Sequence, residues 1–111
     1  MRENDKRALS LLGFAARAGR LTVGVPLLCE AMRKGTRGKT PLLVALACDA
    51  SPNTKKRILD RTAYYGVRLV RLEVDTAALA LAVGKREGAV AAVGVTDPHL
   101  ASAIGALFDE T

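Results

Sequence analysis

Two stretches of this chain have no polar face. Leu42-Leu43-Val44-Ala45-Leu46-Ala47 and Ala89-Val90-Ala91-Ala92-Val93-Gly94-Val95 carry neither a charge nor a hydrogen-bonding side chain. A strand with one wet face alternates apolar and polar residues, whereas an uninterrupted apolar run suits a strand covered on both sides. Both runs fall far short of the ~20 residues a membrane-spanning helix requires. They are read as buried strands, and a sheet holding them must have helices on both faces.

The rest of the chain supplies those helices in alternation. Over residues 5–18, Leu9, Leu12, Ala15 and Ala16 share one helical face, and Gly19 stands where a helix-ending glycine belongs. Arg20 to Val23 reads as a short strand, and Gly24-Val25-Pro26 as a turn with Pro26 at the first helical position. The next helix runs to about Lys34, with Leu27, Leu28, Ala31 and Met32 apolar, and Gly35 to Lys39 forms a basic loop. Ser51-Pro52 and Asp97-Pro98 each place a capping side chain before a helix-starting proline. The first of these helices ends near Tyr65-Gly66 and the second near Phe108. Between them lie a strand from Val67 to Leu72, interrupted by Arg68 and Arg71, and a helix from Asp75 to Val83 closed by Gly84. The expected architecture is α/β, a three-layer α/β/α sandwich of four strands and about five helices. It forms one domain over residues 1–111, with no internal repeat or linker.

The net charge of +6 is unevenly placed. Residues 1–40 hold nine Lys/Arg against three Asp/Glu, residues 41–72 six against two, and residues 73–111 two against six. A basic first two-thirds favours a polyanionic partner. Met1 to Arg7 are polar and charged, without an apolar stretch behind them, so a cytoplasmic protein is expected. Cys29 and Cys48 are the two cysteines, and neither belongs to a metal-binding pair, so both are read as buried free thiols. His99 is the single histidine and has no nucleophile or partner in a motif. The glycines around Gly13 and Gly19 lie in and after a helix, whereas a dinucleotide site needs them after a strand. No enzymatic activity, cofactor or metal is expected. Phe14, Tyr64, Tyr65 and Phe108 are too few for a base-stacking platform, so any RNA partner should be structured.

Three loops suit an RNA backbone. Gly24-Val25-Pro26-Leu27 opens a helix with no Ser, Thr, Asp or Asn before Pro26 to cap it, leaving N–H donors for water or for a phosphate. In Asp49 to Arg57, three cations crowd the first two turns of a helix, the end where the dipole disfavours them. Gly84-Lys85-Arg86-Glu87-Gly88 holds the only basic residues of the acidic third. The alternatives are a tight turn with solvated amides, a charge run balanced by Lys56–Asp60, and an ordinary connector. Periodicity does not say whether the three loops share a surface.

The segments Leu12 to Leu21, Gly24, Leu46 to Lys56, Tyr64 to Val67, Leu81 to Lys85 and Val93 to Asp97 are similar to the kink-turn RNA-binding ribosomal protein family, the type of the seventh and thirtieth large-subunit proteins, and to its small bacterial members. The resemblance covers about residues 7–107. It implies a mixed four-stranded sheet and an RNA-binding set made of Arg20, Gly24, Val25, Pro26, Leu27, Asn53, Thr54, Lys55, Lys56, Gly84, Lys85 and Arg86. It implies structured RNA as partner, ribosomal or otherwise kinked, with the ribosome or the transcription and translation machinery nearby, and no DNA specificity. The chain departs from the pattern at Pro26 and Leu27, where RNA-binding members carry polar residues that read sheared G·A pairs. It departs again at Glu30, where many members carry lysine. Binding led by Lys55, Lys56, Lys85 and Arg86 with weaker or altered base specificity is the expectation, since phosphate contacts position and base contacts specify. The alternative is a protein–protein interaction module of the same fold.

Overall fold

The computed structural model describes residues 2–85 and 88–109. The elements follow in the order α1 (Glu3–Arg17), β1 (Leu21–Val23), α2 (Val25–Lys34), β2 (Leu43–Leu46), α3 (Pro52–Tyr65), β3 (Arg68–Arg71), α4 (Thr76–Ala82), β4 (Ala92–Val95) and α5 (Pro98–Leu107). The expected caps are in place. Ser51 Oγ accepts from the Thr54 N–H at 3.2 Å and Asp97 Oδ1 from the Leu100 N–H at 2.9 Å. Asp75 does the same for α4, accepting from the Ala78 N–H at 2.7 Å.

The strands stand in the order β1-β4-β2-β3, with β4 antiparallel to both its neighbours and β2 parallel to β3. The sheet is therefore mixed, as the resemblance implied. β1, β2 and β3 all run the same way. Their C-terminal ends meet the start of β4 at one end of the sheet, where Val23 lies opposite Val93 and Leu46 opposite both Ala92 and Arg71.

Helices cover both faces. On one side Ala8 and Leu12 of α1, Leu79 of α4 and Ile104 of α5 bury against Leu43, Ala45, Val70, Val93 and Val95. On the other, Leu28 and Met32 of α2 and Ile58 of α3 bury against Val44, Leu46 and Ala92. All four residues of β2 and of β4 are buried, which explains their missing polar face.

The regular strands are shorter than the apolar runs. Leu42 is exposed although its N–H donates to the Val95 carbonyl, and Val90 and Ala91 bond to other segments before β4 begins. Ala91 C=O accepts from the Ala47 N–H, and the Val90 N–H donates to Thr76 C=O. Cys29 is buried as expected, but Cys48 is exposed because the chain turns out of the sheet end just after Ala47. Pro26 is the second residue of α2, after Val25.

Gly94 sets how close α2 can come. A Cβ there would collide with Leu28 Cδ2 and meet Pro41 Cβ at 2.9 Å. Gly94→Ala should lower stability by about 1–3 kcal/mol, the usual cost of overfilling a packed core. Thermal denaturation should show a Tm drop of roughly 4–8 °C per kcal/mol for a domain this size. Adding Leu28→Ala, which opens space at the same spot, should then cost less than it does in the parent chain.

Candidate nucleic-acid interface

The sheet end gathers two of the three loops directly. The Gly24 N–H donates to Ala92 C=O at 3.0 Å, tying the start of α2 to the start of β4. The Ala47 N–H reaches Ala91 C=O at 2.8 Å and the Cys48 N–H reaches Val74 C=O at 2.9 Å, tying the loop after β2 to its neighbours. Asp49 completes the tie by accepting from the Thr76 N–H at 2.7 Å. Sheet order, which periodicity does not reveal, puts these loops together, since parallel strands deliver their following loops to the same end.

The start of α2 differs from every other helix start. Helices α3, α4 and α5 are capped by side chains, and α1 carries Glu3 and Asp5 in its first turn. α2 has neither a side-chain cap nor a first-turn acid. Its N-cap is Gly24 at φ +97°, a conformation open to glycine and strained for other residues. Leu28 is the first residue to donate back into the helix, to Gly24 C=O at 3.1 Å. Pro26 has no N–H, so Val25 and Leu27 present the outward amides at the positive end of the dipole. The Leu27 side chain is 60% exposed.

The start of α3 is capped and basic. Thr54 takes part in the cap, where Ser51 Oγ accepts from its N–H at 3.2 Å and donates to its Oγ1 at 2.9 Å. Asn53, Lys56 and Arg57 are exposed and Lys55 is half-buried. Among the described residues none of these three cations forms an ion pair, so the Lys56–Asp60 pair of the alternative reading is not made. Lys55 lines a small hollow of about 240 Å³ with Cys48 and Arg71. Arg71 is a residue that the sequence reading does not assign to RNA, although its interruption of an apolar strand is a signal for it.

The third loop reaches the same region from outside. Gly84 takes φ +87° and the Lys85 N–H donates to Ala80 C=O at 2.8 Å. Exposed Lys85 lines a groove of about 790 Å³ together with Val23 and Leu27, which joins it to the start of α2. Arg86 lies outside the described residues. Arg20 stands apart. It precedes the three-residue β1 at the opposite end from Gly24, where its C=O accepts from the Thr96 N–H at 3.1 Å, and it shares only the groove. Glu30 also lines the groove. Its carboxyl is held below the usual range by a hydrogen bond from Lys34 and by the charge of Arg33, at 3.3 Å and 3.1 Å.

Among the described residues no three His, Cys, Asp or Glu side chains gather to hold a metal, and no helix is long and apolar enough to cross a membrane. The geometry offers amide donors, ammonium groups and the guanidinium groups of Arg57 and Arg71 at the sheet end, a set that can hold phosphate oxygens.

No protein-family model matches the chain. A curated relative, the RNA-binding protein YlxQ of Bacillus subtilis strain 168, is 37% identical over 99 residues, covering 89% of this chain and 92% of the relative. The chain belongs to the YlxQ family. The YlxQ of Enterococcus faecium is 39% identical over 64 residues, 58% of each chain. The YlxQ fold recurs in a Bacillus halodurans protein described as of unknown function, with TM-score 0.79 and 34% identity over 93% of this chain and 97% of that one. It recurs again in the 15.5 kD RNA-binding protein of Giardia lamblia, with TM-score 0.78 over 96% of this chain and 86% of that one. At 17% identity that second likeness speaks for the fold alone. The resemblance seen in the loop motifs thus holds at the level of the small bacterial YlxQ proteins.

Proposed function

We propose that this chain is a cytoplasmic, non-enzymatic protein that binds structured RNA, ribosomal or kink-turn-like, in association with the translation machinery. The observation that carries the reading is the uncapped start of α2, set on the same sheet end as the basic start of α3 and joined to Lys85. The curated relatives are named as RNA-binding proteins, which supports it. A phosphate at α2 would take the amides of Val25 and Leu27 and the positive end of the dipole. Lys55, Lys56 and Lys85 would hold the flanking backbone.

Discrimination between RNA shapes should be modest. Pro26 offers no N–H and the Leu27 side chain cannot hydrogen-bond a base, while a good bidentate base contact adds about 1–3 kcal/mol of selectivity. A hairpin containing a kink-turn should therefore bind less than about tenfold more tightly than an uninterrupted duplex of equal length. The double change Pro26→Asn and Leu27→Glu should widen that gap. Fluorescence anisotropy with both RNAs at physiological salt checks this, and no measurable binding to either RNA would sink the reading.

A further inference from the structure

The groove beside β1 has a floor of a particular kind. β1 lies at the edge of the sheet and pairs only with β4. The bonds from the Gly24 N–H to Ala92 C=O and from the Thr96 N–H to Arg20 C=O mark residues 20, 22 and 24 as those facing β4. In an antiparallel pair these alternate with residues facing away. The N–H and C=O groups of Leu21 and Val23 therefore point outward, and among the described residues they have no partner. One wall is α2, presenting Leu27 and Ala31, and Lys85 also lines the groove. Arg20, Lys34 and Lys39 add three more cations, and the one acid among the described lining residues, Glu30, is paired with Lys34 and with Arg33 outside the lining, so the rim keeps a positive excess.

We infer that this groove takes an extended acidic segment of a protein partner, added as a fifth strand along β1. The floor alternates donors and acceptors, as another peptide strand does. A phosphodiester has no donor to offer the two outward carbonyls, and in RNA only the 2′-hydroxyl could supply one, whereas a peptide strand brings both a donor and an acceptor at every second residue. Leu27 and Ala31 provide an apolar wall for one side chain of the added strand, and the cations at the rim select for carboxylates. The site goes beyond the RNA reading and shares Leu27 and Lys85 with it, so the two ligands would compete at that corner.

The test uses the full ¹⁵N-labelled chain and a blocked eight-residue peptide alternating Asp and Val. Saturating peptide should slow amide exchange at Leu21 and Val23 by about tenfold or more, while Thr22, already bonded to Gly94, changes little. A Lys–Val peptide of equal length should not bind. Lys34→Glu with Lys39→Glu should weaken the Asp–Val peptide by about tenfold or more. Lys34→Ala with Lys39→Ala serves if the reversed charges disturb folding. Absence of protection at Leu21 and Val23, equal binding of the Lys–Val peptide, or indifference to the lysine changes would each overturn the inference. So would protection of those two amides by a ten-nucleotide oligouridine when the peptide gives none. The RNA reading is judged separately, by hairpin affinity, and stands or falls without this result.

Discussion

A chain carrying Lys55→Ala, Lys56→Ala and Lys85→Ala should bind structured RNA on the order of a hundredfold more weakly at 0.1 M salt than the parent chain. Each phosphate neutralised releases condensed counterions, and the log–log slope of affinity against salt falls by a little under one for each phosphate left without its cation. The triple variant should therefore have a slope shallower by roughly two to three. The fold should be unaffected, because these lysines are exposed or half-buried and form no ion pair among the described residues. Equal thermal stability with a flattened salt dependence is the expected result. An unchanged slope would remove the sheet end as the binding face, even if RNA binding itself persisted.

The second large effect concerns Asp5, a fully buried carboxylate in the first turn of α1. Its Oδ2 accepts from Arg2 Nε at 2.7 Å, and its Oδ1 accepts from the Glu73 N–H at 3.0 Å, pinning the chain's start to the loop after β3. Burial alone would raise its pKa. The hydrogen bonds from Arg2 and the Glu73 amide, with the Arg2 charge, outweigh burial and hold it below the usual aspartate range. A carboxyl depressed in the folded state binds protons more readily when unfolded. Its contribution is therefore complete above the ordinary aspartate value of about 3.9 and fades as pH falls through and below it. Asp5→Ala removes a fully buried carboxylate and leaves the partly buried Glu73 amide without its acceptor, and should cost about 1–3 kcal/mol at pH 7. Urea unfolding at pH 7 and at pH 3 should show the parent losing more stability on acidification than the variant. Equal losses would show that Asp5 is not a source of acid sensitivity.

Much of this molecule can be read from residue order, and the limits of that reading have physical causes. Apolar runs at 42–47 and 89–95 announce strands buried on both faces, and Ser51-Pro52 and Asp97-Pro98 announce capped helices, because both are local signals. Strand pairing is not local. Nothing in Leu21-Thr22-Val23 says that its partner is Val93-Gly94-Val95, yet that pairing brings the start of α2 beside the start of β4. Apolar runs overstate strand length because Val90 and Ala91 bond to Thr76 and Ala47 outside the regular ladder. Cys48 departs from its expected burial for a similar reason, since an apolar neighbourhood in sequence gives way to an exposed turn once the strand ends. Thr54 fits a phosphate-binding segment by type, and its hydroxyl oxygen also serves the helix cap by accepting from Ser51, which leaves its own O–H to donate. In sequence Lys34 and Lys39 read only as a helix end and part of a basic loop, because their common ground with Lys85 is a groove that exists only after β1, α2 and the loop after α4 have come together.

The place of β4 has a consequence for how the protein comes into being. β4 is the last strand in the chain, yet it lies between β1 and β2. Until residues 92–95 have left the ribosome, β1 has no strand to pair with, and Gly24 lacks the Ala92 carbonyl that anchors the start of α2. β2 and β3, neighbours joined by one helix, can associate earlier. A nascent chain therefore completes its hydrophobic centre and its ligand-holding end in one late event, by closing a long loop, the kind of step that slows folding. Binding competence should appear abruptly during synthesis, and the early half, with its surplus of cations, must wait without the surface that would direct them.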